Sequence, residues 1–91
     1  MIKIVFEKDK NRSAAYDSDK LVGVCTYNHL NGQWIANHTA VEKEYGGRGI
    51  GSKLVECLVE NARKEGVEIH PICSFVKTEF DKKEEYRDLL A

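Results

Sequence analysis

The chain has no long hydrophobic run. Its N-terminal apolar stretch, Ile2 to Phe6, is broken by Lys3, which is too short for a signal peptide or a membrane span. The expectation is a cytoplasmic protein without a membrane partner. The chain also lacks a dominant charge. Fourteen basic and 15 acidic residues leave a net charge of −1, so no general basic field favours nucleic acid. Cysteine is scarce and unpaired in spacing. Three cysteines argue against a disulfide framework and for reduced thiols. No Cys-x-x-Cys and no His-x-x-x-His occurs, and His70-x-x-Cys73 alone is a weak zinc signal, so no metal is expected. Proline occurs once, at Pro71. Internal repeats, low-complexity segments and linkers are absent. Ninety-one residues, 42% hydrophobic and 32% charged, read as one domain spanning 1–91.

What the chain does have is concentrated glycine. Four of its seven glycines fall between Gly46 and Gly51, inside Tyr45-Gly46-Gly47-Arg48-Gly49-Ile50-Gly51-Ser52-Lys53-Leu54. Four short strands are expected before this loop: Ile2–Phe6, Arg12–Tyr16, Leu21–Tyr27 and Trp34–Val41. They are separated by a polar turn at Lys8–Asn11, by Asp17-Ser18-Asp19, and by the hairpin signal Asn31-Gly32. Together they read as an antiparallel meander. Alternation places Trp34, Ala36, His38 and Ala40 on one face of the fourth strand. After the loop, Ile50, Leu54, Leu58 and Ala62 recur at i+4 and predict a helix over 48–65, stopped by Gly66. Val67 and Ile69 begin a fifth strand that contains Pro71 and runs to Val76. Pro71 cannot donate to a ladder, so hydrogen bonding on one side should fail there. Thr78 or Asp81 would cap a short closing helix with Tyr86, Leu89 and Leu90 as its apolar stripe.

A glycine loop opening a helix suits a phosphate. Glycine lets a backbone approach closely, and the first helical amides are unpaired donors at the positive end of the dipole. Gly46 and Gly51 have P-loop spacing, but Ser52 precedes Lys53, the reverse of that motif. A dinucleotide fold needs glycine at Ser52 and a βαβ unit, and neither is present.

Gly-Arg-Gly-Ile-Gly after an antiparallel sheet resembles the acetyl-coenzyme-A loop of the GNAT superfamily of acyltransferases. Gly49 and Gly51 match its two later positions, while Gly46 stands where that pattern has Gln or Arg. His38-Thr39-Ala40-Val41, Pro71-Ile72-Cys73-Ser74-Phe75-Val76 and the tail Glu85–Leu90 extend the likeness over nearly the whole chain. They resemble the very small GNAT-like proteins that lack the N-terminal helices of larger relatives. The resemblance implies an α/β (α+β) truncated GNAT-like fold: a four-stranded antiparallel meander, a long helix, a fifth strand splayed from the fourth, and a short C-terminal helix.

It also implies acetyl-CoA as co-substrate and transfer to a small-molecule or peptide amine, by a monomer or a dimer. The pyrophosphate would lie on Gly46, Gly47, Arg48, Gly49, Ile50, Gly51 and Ser52, with Arg48 adding a charged contact. The pantetheine arm would pair with the backbone of Thr39, Ala40 and Val41. The thioester would then lie near Cys73. In direct transfer a base frees the amine, and a fifth-strand amide polarises the carbonyl. In the covalent route the Cys73 thiolate takes the acyl group first, which needs a lowered thiol pKa. His38 is the expected base or thiol partner, because parity separates His70 from Cys73. Cys25 and Cys57 read as small core residues. Tyr86 is either a general acid or a packing residue. The other readings are a coenzyme A or acyl-CoA-binding module with little turnover, and an anion-binding domain that meets no coenzyme A.

Overall fold

A computed structural model describes residues 1–91. Strands β1 (Ile2–Glu7), β2 (Arg12–Asp17), β3 (Lys20–Leu30) and β4 (Gln33–Val41) form an antiparallel meander. Helix α1 (Ile50–Glu65) returns the chain so that β5 (Glu68–Pro71) pairs parallel to β4. The sheet order is β1-β2-β3-β4-β5. Helix α2 (Ser74–Lys82) and a 3₁₀ segment (Glu84–Leu89) close the chain. No helix is long and apolar enough to cross a membrane.

Local chemistry explains most boundaries. Asn31 and Gly32 both have positive φ (53° and 76°), as a two-residue hairpin turn with right-handed strand twist requires. At the end of α1, Gly66 (φ 70°) donates to the Arg63 carbonyl and Val67 to that of Ala62, the paired bonds of a Schellman motif. The apolar stripe of α1 (Ile50, Leu54, Val55, Leu58, Val59, Ala62) is buried against one sheet face. There Trp34 stacks on Tyr27 at 4.1 Å and on Phe6 at 5.5 Å between ring centroids. The buried Ser13 hydroxyl donates to the Leu54 carbonyl at 2.8 Å.

Three expectations about positions need correction. First, β5 ends at Pro71 instead of running to Val76. The amides of Ile72 and Cys73 both turn onto the Ala36 carbonyl, at 3.1 and 2.9 Å. The chain therefore leaves the ladder, and Cys73 becomes the N-cap of α2. Second, the closing helix starts at Ser74, so neither Thr78 nor Asp81 caps it. The Thr78 hydroxyl donates back to the Ser74 carbonyl at 3.0 Å. Tyr86 and Leu89 are buried, whereas Leu90 is exposed. Third, the pairs Tyr27↔Ala36 and Thr26↔His38 leave Asn37 as an extra residue in β4. This bulge reverses the side-chain alternation. Trp34 and Ala36 face the core, but His38 and Ala40 are exposed.

Candidate active site

The parallel pairing of β4 with β5 stops at Ala36↔Pro71. From Asn37 to Val41, β4 keeps β3 on one side and has no strand on the other. The Glu42 amide donates to the Val22 carbonyl at 2.8 Å. Alternation then directs the backbone groups of Thr39 and Val41 away from β3, into the gap. The donor-free proline and the turn behind it open the sheet at this place.

At one end of the gap lies a cavity of about 340 Å³. Its wall is Thr39 and Val41 from β4, Phe75 from α2, and Tyr45, Gly46, Gly47, Gly49, Ile50, Gly51 and Ser52 from the loop and the start of α1. The loop is a run of free donors: none of the amides from Gly47 to Ser52 donates to a backbone carbonyl. Gly47 (φ 77°) and Gly49 (φ 73°) take left-handed conformations that aim successive amides. Gly51 is needed for another reason, since a Cβ there would stand 2.8 Å from the Phe75 ring. Gly46 is extended (φ −64°, ψ 155°), a conformation open to any residue. A cradle of free amides at a helix start, continuous with an open strand edge, fits an anion joined to an extended amide chain.

Two residues expected to hold the cofactor, Arg48 at the cradle and Ala40 along the pantetheine arm, do not line the cavity. The Arg48 guanidinium lies 5.1 Å from the centre of the Tyr45 ring, and Ala40 faces the other side of the sheet. Ser52 lines the cavity, and it also helps to lower the pKa of the Glu79 carboxyl of α2.

Cys73 closes the other end. Its Sγ lies 3.6 Å from Thr39 Oγ1, which is itself 3.5 Å from Cys25 Sγ. Burial pushes the Cys73 thiol up. The amides of Val76 and Phe75 at the start of α2, together with the Thr39 hydroxyl, outweigh burial and hold it below its ordinary value. No full cap hydrogen bond forms at this N-cap, so the effect is that of aligned amides near the sulfur. Cys25, fully buried on β3, is pushed up to about 11. Burial also raises Cys57.

The structure does not bring His38 to Cys73. Thr39 turns its side chain to the sulfur, so its neighbour His38 points to the opposite, exposed face. The fifth-strand amides also change role, because those of Ile72 and Cys73 are held by the Ala36 carbonyl. Tyr86 is buried against Phe80, with ring centroids 5.5 Å apart, and it is absent from the cavity wall. No three metal-ligating side chains converge.

Sequence reasoning gave no role to three residues near the site. Tyr45 forms cavity wall, and its Oη donates to Asp17 Oδ2 at 2.6 Å. Phe75 forms the facing wall, and its place in Pro-x-Cys-Ser-aromatic was the available signal. Glu79 is 1% exposed and pairs with Lys83 at 3.0 Å and Lys82 at 3.5 Å. Its carboxyl is raised by burial and lowered further by Lys83, Ser52 and Lys82, so the net shift is downward.

Comparison with known proteins finds the same fold elsewhere. A GCN5-like N-acetyltransferase candidate from Staphylococcus aureus is 31% identical with a TM-score of 0.76, over 98% of this chain and 87% of that one. The ribosomal-protein-S18-alanine N-acetyltransferase of Escherichia coli shares the fold at 16% identity and TM-score 0.67, over 78% of this chain and 49% of its own. Nourseothricin acetyltransferase is 26% identical with TM-score 0.54, over 93% and 52%. The chain thus spans about half the length of these two acetyltransferases. No curated protein sequence matches. The model of the GCN5-related N-acetyl-transferase family matches residues 12–89, and the chain belongs to that family.

Proposed function

We propose that residues 1–91 form one domain that transfers an acetyl group from acetyl-CoA to an amine. The observation that carries this reading is the continuous path from the free amides of Gly47–Ser52, along the unpaired edge of Thr39 and Val41, to Cys73. Amides from Gly47 to Ser52 hold the pyrophosphate, with Gly46 giving its backbone close approach. Thr39 and Val41 hold the pantetheine amides as a strand would. Arg48 supplies charge at the outer rim.

Cys73 then attacks the thioester carbonyl as thiolate. A carbon–sulfur bond forms to Cys73, the bond to the coenzyme A sulfur breaks, and coenzyme A leaves as thiolate and takes a proton. The amine attacks the acyl-cysteine, Cys73 leaves as thiolate, and the new amide nitrogen gives its proton to a base. His38, on the outer face beside the gap, serves the incoming amine and not the thiol. The lowered Cys73 pKa favours this covalent route over direct attack.

Intact-mass spectrometry after mixing with acetyl-CoA tests the proposal. The expected result is one added acetyl group, absent from Cys73→Ala and discharged by amines. No adduct, with amide product still formed by Cys73→Ala, would replace the covalent route by direct transfer. A second reading, a coenzyme A-binding module without turnover, is favoured by His38's facing away from Cys73, which leaves the thiol without a basic side-chain partner. Binding without product across an amine panel would select it.

A further inference from the structure

We infer that the hydrogen bond between Tyr45 and Asp17 is a latch that positions the glycine loop for its anion; the inference rests on the coenzyme A reading above. The loop has almost no bonds of its own. Only the turn before it is closed, by the Tyr45 amide on the Glu42 carbonyl and the Gly46 amide on that of Lys43. From Gly47 to Ser52 every amide is left for a ligand, and two glycines sit at positive φ. Such a segment loses much conformational entropy when ordered. If it were free before binding, the ligand would have to order it, and affinity would fall accordingly.

The downstream end is fixed because it is α1. The upstream end is fixed by Tyr45. Its ring forms cavity wall, and its hydroxyl reaches across to Asp17, the last residue of β2. The other Asp17 oxygen takes the Met1 ammonium at 3.1 Å. Two cations flank the Tyr45 ring, Arg48 at 5.1 Å and Lys20 at 5.7 Å from its centroid. Lys20 in turn bridges Glu42 at 3.3 Å and Glu44 at 3.1 Å. These carboxylates lie just before and within the Lys43–Tyr45 turn. The β2–β3 turn thus grips the entry to the loop from several sides. Asp17 does not itself line the cavity and acts as a positioning residue through Tyr45.

Asp17→Ala and Tyr45→Phe each remove the latch hydrogen bond, and Tyr45→Phe keeps the ring that forms cavity wall. Calorimetric titration with coenzyme A should show about ten-fold weaker binding for each, as expected from loss of one hydrogen bond to a charged group. The double variant should be no weaker than the stronger single effect, because both remove the same bond. Nitrogen-15 relaxation adds a readout that does not depend on the ligand. Order parameters of Gly47, Gly49 and Gly51 should fall in both variants, with those of α1 unchanged. A drop in melting temperature with loop order and affinity intact would assign the bond a purely structural role and overturn the inference. Wild-type protein that binds no coenzyme A would sink the functional reading, and the relaxation data would still decide whether the latch orders the loop.

Discussion

Cys73 and Cys25 lie on either side of one hydroxyl, that of Thr39, yet their chemistry diverges. Cys25 is wholly buried on a strand, and its thiol is pushed up to about 11. Cys73 caps a helix, where aligned amides favour the thiolate. A thiol below its ordinary value carries more thiolate at pH 7. Iodoacetamide at that pH should therefore label Cys73 first and leave Cys25 unlabelled in the folded protein, as read by peptide mass spectrometry. Labelling of Cys57 ahead of Cys73 would contradict the assignment. The glycines divide in the same way. Gly49→Ala places a Cβ at φ 73° and should cost about 1–2 kcal/mol of stability by thermal unfolding. Gly46→Gln instead enters an extended position where the Cβ meets only the Lys43 carbonyl, at 3.2 Å. It should cost less stability than Gly49→Ala, the Lys43–Tyr45 turn yielding slightly to the new Cβ, and tighten coenzyme A binding by supplying the side chain that the family pattern has there. Weaker binding by calorimetry would show that the open wall at Gly46 is itself required. The sequence made the glycine cluster visible, but not that each glycine has a separate reason, which depends on neighbours such as Phe75.

Helix α1 is the element most legible in the sequence. Its period-3.6 stripe and terminal glycine suffice to define it, because local pattern and tertiary burial agree. The start of α2 was not legible. Cys73-Ser74-Phe75-Val76 has strand-like composition, and only the packing of Val76, Glu79 and Phe80 makes it helical. The bulge at Asn37 was equally hidden, since a bulge is a property of two paired strands. It decides the fate of His38, turning it away from the thiol. Two tests belong at this scale. Leu58→Ala, at a fully buried position of α1, should lose about 2–5 kcal/mol in denaturant unfolding. Glu79→Ala strands Lys83 and should lose about 1–3 kcal/mol at neutral pH. The Glu79 carboxyl is lowered in the folded protein from an ordinary value near 4.5. Its stabilisation is thus present above that value and lost as pH falls through the lower folded one. The difference between wild type and Glu79→Ala should shrink in that acidic window, and a pH-independent difference would contradict the pairing.

At the scale of the whole molecule, the sheet is closed on β3's side of β4 and opened on β5's side. The overall order of elements was legible because turns, strands and α1 each carry local signals. The opening was foreshadowed by Pro71, although its mechanism, two amides converging on the Ala36 carbonyl, required the fold. The opening and the cradle are one feature seen from two ends. The most direct test of the account is a proton–nitrogen correlation titration with acetyl-CoA. The account predicts saturable shifts concentrated on the amides from Gly46 to Ser52, with a second group at Thr39 and Val41. No shifts at millimolar ligand, or shifts confined to another face of the molecule, would contradict it.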